Sequence, residues 1–210
     1  MRRFQLKVCG MREGGNIAAV GDLMPNYMGF IFVPSSPRYV GHTLAPEVAA
    51  LPPSIKRIGV FRDTPCDELR TTVERNHLDG VQLHGDESDD YLRDLQSQLP
   101  SLLLIKAIRV SSQTDLVAVS ERLVSPDLYL LDSGNGGTGT PFEWSWLESY
   151  RSTVPFLLAG GISLANIDEA THVGRKHPAF VGIDINSHFE VSPGMKNIEQ
   201  IKTALARLSV

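Results

Sequence analysis

Phe156-Leu157-Leu158-Ala159-Gly160-Gly161-Ile162-Ser163 is an apolar run that stops on two glycines and a serine. Its first four residues show no polar alternation, as in a strand covered on both faces of a parallel sheet. The glycines permit a tight turn, and Ser163 marks the start of a helix. The stretch reads as one strand–turn–helix unit, and the number of such units decides the fold.

Working outward, apolar and β-branched runs of the same kind precede it at Gln5–Cys9, Tyr27–Val33, Lys56–Phe61, Gly80–His84, Leu102–Ala107 and Leu128–Asp132. Another follows at Phe180–Ile185. Their starts lie about 20–30 residues apart, which leaves room for one strand, one helix and two loops in each unit. Tyr91, Leu92, Leu95 and Leu99 follow helical spacing, as do Met195, Ile198, Ile201, Leu205 and Leu208. Pro65 or Asp67 marks a further helix start. No Pro/Ser-rich linker or low-complexity stretch divides the chain. Eight such units in 210 residues are expected to close into a single-domain (β/α)8 TIM barrel over residues 1–210. An open doubly wound sheet uses the same alternation. Eight units favour closure, which leaves no edge strand to protect.

With 42% hydrophobic and 21% charged residues, the composition is that of an ordinary globular domain. No apolar run approaches the roughly 18–20 residues of a membrane span. Lys7 interrupts the apolar stretch behind Arg2-Arg3 before it reaches the about 7–15 residues of an export signal. A net charge of -4 without a basic stripe argues against nucleic acid as a partner. The two cysteines, Cys9 and Cys66, form no CxxC pair, which argues against a structural zinc site and a disulfide framework. A cytoplasmic protein acting on a small molecule is expected, as a monomer or homodimer.

In such a barrel the chemistry sits at the C-terminal strand ends. Those ends carry Cys9, Arg38 in the loop after the second strand, His84, Lys106 with Arg109, Asp132, Gly160-Gly161, and Asp184 to Ser187. Phosphate binds at the seventh and eighth loops of many barrels, and glycine N–H groups beside a helix start suit it. Gly160, Gly161, Asn186 and Ser187 are therefore candidates, although the same glycines also make ordinary tight turns. Asp132 is a candidate general acid if water is partly excluded, or else a loop ion pair or helix cap. Cys9 at a strand end is a candidate base or nucleophile, whereas Cys66 reads as structural. Gly134-Asn135-Gly136-Gly137-Thr138-Gly139 matches G-x-G-x-x-G, but the next strand closes on Ala159-Gly160-Gly161 with no ribose-binding acid. Pro141 also interrupts the turn, so neither a dinucleotide nor any other cofactor is expected. Of the six histidines only His84 closes a strand, and none shows a metal spacing.

These residues together resemble the phosphoribosylanthranilate isomerase family over essentially the whole chain. The matches are Lys7-Val8-Cys9-Gly10, Gly29-Phe30-Ile31-Phe32 with Ser36-Pro37-Arg38-Tyr39-Val40, Gly59-Val60-Phe61, and Val81-Gln82-Leu83-His84-Gly85-Asp86-Glu87. Leu131-Asp132-Ser133, Phe142-Glu143-Trp144, Leu158-Ala159-Gly160-Gly161, and Asp184-Ile185-Asn186-Ser187 with Glu190, Pro193-Gly194 and Lys196 continue the likeness. The resemblance implies a cofactor-free Amadori rearrangement with Asp132 as general acid and Cys9 as general base. It further implies Arg38 on the anthranilate carboxylate, His84 lining the same pocket and Asp184 near the sugar hydroxyls. Gly160, Gly161, Asn186 and Ser187 fall on the family's phosphate site. His188 stands where the family carries a glycine. The sister isomerase of histidine biosynthesis runs the same chemistry with an aspartate in place of Cys9, and a non-catalytic phosphate-binding barrel would need neither Cys9 nor Asp132.

Overall fold

The computed structural model describes residues 4–133 and 141–208. The glycine-rich motif at 134–139 lies outside them. Eight parallel strands close into a barrel in sequence order: β1 (Gln5–Val8), β2 (Tyr27–Ile31), β3 (Lys56–Phe61), β4 (Gly80–Leu83), β5 (Leu103–Arg109), β6 (Leu128–Asp132), β7 (Phe156–Leu158) and β8 (Phe180–Ile185). The ring closes where β1 pairs with β8, Lys7 standing opposite Asp184.

Among the described residues six α-helices follow the strands: α1 (Gly14–Gly21), α2 (Cys66–Asn76), α3 (Asp89–Gln98), α4 (Gln113–Ser120), α5 (Ile167–Gly174) and α6 (Ile198–Leu208). Local chemistry sets their starts. Ser88 accepts from the Tyr91 N–H at the head of α3, and Ser112 with Asp115 forms a capping box on α4. The second and sixth units carry 3-10 turns, Pro46–Ala50 and Trp144–Ser149, instead of the expected α-helices. Pro46, Pro52 and Pro53 confine the first to a stretch too short for a full helix, and Pro141 and Pro155 flank the second. α5 starts at Ile167, after a turn that begins at Ser163. Met195 does not join α6. It pairs in a short hairpin, β9 (Glu190–Ser192) with β10 (Met195–Lys196), turned by Pro193-Gly194.

Strand alternation divides the core into two layers. Tyr27, Ile58, Ile105, Ala107, Leu130 and Leu157 fill the barrel. Leu6, Val8, Phe30, Leu83, Leu131 and Ile185 face the helices in a larger outer cluster. β8 holds the one break in this rhythm that matters for the site. Val181 belongs to the inner layer, yet Ile183 and Ile185 belong to the outer one. The β7–β8 register slips between Phe156 and Leu157, placing Gly182 opposite Leu157. The extra residue of this bulge resets the phase, so that Asp184 points into the barrel.

Candidate active site

Cys9, His84 and Asp132 reach the same mouth because each follows an inward position on its strand. Leu6 and Val8 face the helices, so Lys7 and Cys9 face inward; Val81 and Leu83 do the same for Gln82 and His84. On β6, Leu128 and Leu130 fill the interior and Asp132 continues their face upward. Arg109 stands beside Asp132 in register across β5 and β6.

Asp132 keeps about a quarter of its side chain in contact with solvent, and one oxygen lies 3.4 Å from His84 Nε2. His84 Nδ1 is 2.9 Å from the Gln82 amide, which is itself buried beneath it. This column fixes the imidazole plane and points one ring nitrogen at the acid. A cavity of about 340 Å³ opens on this side of the mouth, lined among others by His84, Arg109, Arg122 and Asp132. Cys9 and the β7–β8 loops lie on the opposite side of Asp132 and outside that lining. Lys106 also borders this cavity, but its side chain does not point into the barrel. It sits between inward Ile105 and Ala107, so it faces outward, where its ammonium bonds Glu87 at 2.9 Å and the Gly85 carbonyl at 2.7 Å. Both ends of that ion pair are buried. Lys106→Met leaves the Glu87 carboxylate buried without a cation, a change expected to cost about 3–5 kcal/mol. Thermal unfolding should show the melting temperature falling by roughly 10 °C.

Arg38 is held by Glu190. Its Nε bonds both carboxylate oxygens, at 2.9 and 3.0 Å, and its Nη2 bonds one at 2.6 Å. That contact uses one edge of the guanidinium and leaves the Nη1 end available for a second planar anion. Burial pushes the Glu190 carboxyl up, but Arg38 and then Lys196 outweigh it and hold it below the usual carboxylate range. Lys196 Nζ bonds Glu190 at 2.6 Å and the Asn186 side-chain oxygen at 2.8 Å. Asn16 of α1 pins this hairpin, accepting from the Lys196 N–H at 2.7 Å and donating to its carbonyl at 2.9 Å. The Asn186 side-chain oxygen thus serves Lys196, and Ser187 opens the 3-10 turn Ser187–Phe189 in the same loop. His188 lies in that turn too, and the non-glycine residues with left-handed backbone are Met24, Asp63 and His77. A side chain at 188 therefore costs the loop no strain of that kind.

Gly160 and Gly161 both have positive φ, 77° and 68°. A Cβ at Gly160 would stand 2.4 Å from the Ser133 nitrogen and 2.6 Å from an Asp132 oxygen. Only glycine lets the turn after β7 press this closely on the acid. Asp184, expected near the sugar hydroxyls, lies on the inward face of β8, one residue before its end. Its carboxylate bonds Lys7 Nζ at 3.0 Å, and the two side chains are 9% and 0% exposed.

Sequence reading did not single out Lys7, Gln82 or the roles of Glu190 and Lys196. A signal existed for Lys7: a lysine two residues before Cys9, in an otherwise apolar strand, shares its inward face.

An eight-stranded barrel whose mouth gathers a carboxyl group, a thiol, an arginine fork and a glycine turn has the parts of an acid–base enzyme. Comparison with known proteins makes this specific. The family model "N-(5'phosphoribosyl)anthranilate (PRA) isomerase" matches residues 6–207, and the chain belongs to that family. The N-(5'-phosphoribosyl)anthranilate isomerase of Parabacteroides distasonis is 36% identical over 208 residues, covering 97% of this chain and 92% of that protein. The crystal structure of phosphoribosyl anthranilate isomerase from Thermus thermophilus superposes with a TM-score of 0.84 at 26% identity, covering 98% of both chains. A phosphoribosyl anthranilate isomerase crystallised with reduced 1-(o-carboxyphenylamino)-1-deoxyribulose 5-phosphate gives a TM-score of 0.79 at 25% identity, again over 98% of both chains. No helix among the described residues is long and apolar enough to cross a membrane.

Proposed function

We propose that Asp132 and Cys9 are the acid and base of the reaction this isomerase performs. That reaction converts N-(5'-phosphoribosyl)anthranilate into 1-(2-carboxyphenylamino)-1-deoxyribulose 5-phosphate in tryptophan biosynthesis. The observation that carries the assignment of roles is the placement of the two groups. They close β1 and β6, on either side of the β7 and β8 strand ends, within one mouth.

A substrate whose phosphate lies on the Gly160-Gly161 and Asn186-Ser187 loops has its ribose between the two groups. Asp132 gives its proton to the ring oxygen as the bond from that oxygen to C1' breaks, and the nitrogen lone pair forms the iminium. Cys9 then takes the C2' proton; the electron pair moves into the C1'–C2' bond and the iminium becomes an enolamine. Tautomerisation gives the ketone, and as the proton held by Cys9 is lost to solvent Asp132 takes one up, which restores both groups. His84 orients the acid and lines the space beside it. Arg38 meets the anthranilate carboxylate with the guanidinium end that Glu190 leaves open. All of these groups come from one chain, so a monomer is sufficient for chemistry and a homodimer holds two complete sites.

The test is the loss of anthranilate-type fluorescence when purified protein meets freshly generated substrate in metal-free, cofactor-free buffer. Rapid loss supports the reading, and a rate no faster than the spontaneous one from a folded sample sinks it. In the same assay Arg38→Gln is expected to raise KM by about 10–100-fold with a smaller change in kcat, since a charge-assisted fork to the carboxylate is lost. An unchanged KM would remove Arg38 from substrate binding.

A further inference from the structure

A lysine inside a barrel is costly unless its charge is answered. Lys7 is fully buried, and Asp184 answers it at 3.0 Å. The pair is more than structural filling, because of what stands next to it. Lys7 and Cys9 are two residues apart on β1 and face the same interior. Their side chains converge on Gly29 of the neighbouring strand. A Cβ there would lie 2.7 Å from Cys9 Sγ and 3.2 Å from Lys7 Nζ. Thiol and ammonium are therefore no more than about 6 Å apart, a range in which an opposite charge favours the ionised form. Gly29 keeps that face open, since any side chain would drive the two apart.

Charges of both signs surround the thiol. Lys7 from its own strand, Arg38 from the segment after β2 and Lys196 from β10 are cationic. Asp184 from β8 and Glu190 from β9 are anionic and already engaged, the first by Lys7 and the second by Arg38 and Lys196. Asp132 on β6 acts on Asp184 from across the mouth. Of these groups Lys7, and after it Lys196, favour a thiolate at Cys9, whereas Asp184 opposes it.

We propose that Lys7 is the positioning residue for the base: its ammonium is the counter-ion that lets Cys9 ionise inside the barrel, and Asp184 serves to hold Lys7 rather than to touch the sugar. The inference rests on Cys9 being the base of the isomerisation. The electrostatics agree with it. Burial pushes the Cys9 thiol above its ordinary value, Lys7 is the largest influence in the opposite direction, and Asp184 adds to the upward push. Burial would drain the Lys7 charge, but Asp184 and then Cys9 outweigh it and hold the ammonium charged.

The test titrates Cys9 directly, in a Cys66→Ser background so that only one thiol reports. Iodoacetamide alkylation is followed against pH alongside kcat/KM. Asp184→Asn frees the ammonium and removes a like charge, so the alkylation midpoint moves down from that of the parent. Adding Lys7→Met to Asp184→Asn leaves no unpaired charge behind, and the midpoint rises by one pH unit or more relative to Asp184→Asn alone. The acid limb of kcat/KM moves with it, with little change in KM. A folded double variant whose midpoint matches Asp184→Asn, or two variants that shift in the same direction, overturns the role of Lys7. A shifted midpoint beside an unmoved kcat/KM limb keeps Lys7 as counter-ion and overturns Cys9 as the base. A buried ion pair that is only structural lowers the unfolding temperature without producing these opposite shifts.

Discussion

Asp132→Asn is expected to lower kcat by roughly 10²–10⁴-fold while KM stays within a few-fold of the parent value. The two side chains are nearly the same shape, and the amide keeps an oxygen for the contact with His84, now 3.4 Å away. A Cβ at Gly160 would lie 2.6 Å from the carboxylate, so the position tolerates no added bulk, and asparagine adds almost none. What the amide lacks is a transferable proton. Ring opening must then draw on water, which is neither positioned nor acidic enough to match a carboxylic acid held against the ring oxygen. Fluorescence loss measured at saturating substrate reads the defect as kcat, and product binding by titration checks that the mouth is intact. A variant within three-fold of the parent in kcat would show that ring opening needs no acid at this position.

The fold was legible because its evidence is repetitive. β3, β6 and β8 run over the residues their apolar stretches mark, and each other strand differs only at its ends. Length and alternation carry that information locally. The second and sixth helices were not legible in the same way, since an apolar segment between prolines reads as helix or 3-10 turn according to how closely the chain is drawn onto the barrel. Met195 has helical spacing to Ile198, yet the Pro193-Gly194 turn and the pairing of β10 with β9 take it from the helix.

The site divides along the same line. Strand ends can be counted, so the placement of Cys9, His84 and Asp132 at the mouth was legible from position. Which way a charge points cannot be counted so simply. Lys106 and Asp184 both stand near strand ends, but one lies on the outer face with Glu87, and the other turns inward only because a bulge after Phe180 shifts the phase. The Arg38–Glu190 contact joins residues 152 positions apart, and no local pattern announces it.

The second large effect is expected at Cys9. Cys9→Ser should lower kcat by roughly 10²–10⁴-fold, because a hydroxyl is scarcely ionised at any working pH and cannot take the C2' proton. Cys9→Asp should recover part of that loss. The new carboxylate enters the same charge setting as the thiolate, facing Lys7 across the open side of Gly29, and the neighbouring cations Lys196 and Arg38 suit it equally. It is bulkier than the thiol and reaches from a different atom, so its geometry falls short of the native base. The expected order in kcat is therefore cysteine, then aspartate, then serine, with the pH limb of the aspartate variant displaced downward because a carboxyl ionises well below a thiol. A base is what this order reports. Serine and aspartate variants equally active would mean that the position only packs, and a serine variant as fast as the parent would place the base elsewhere in the mouth.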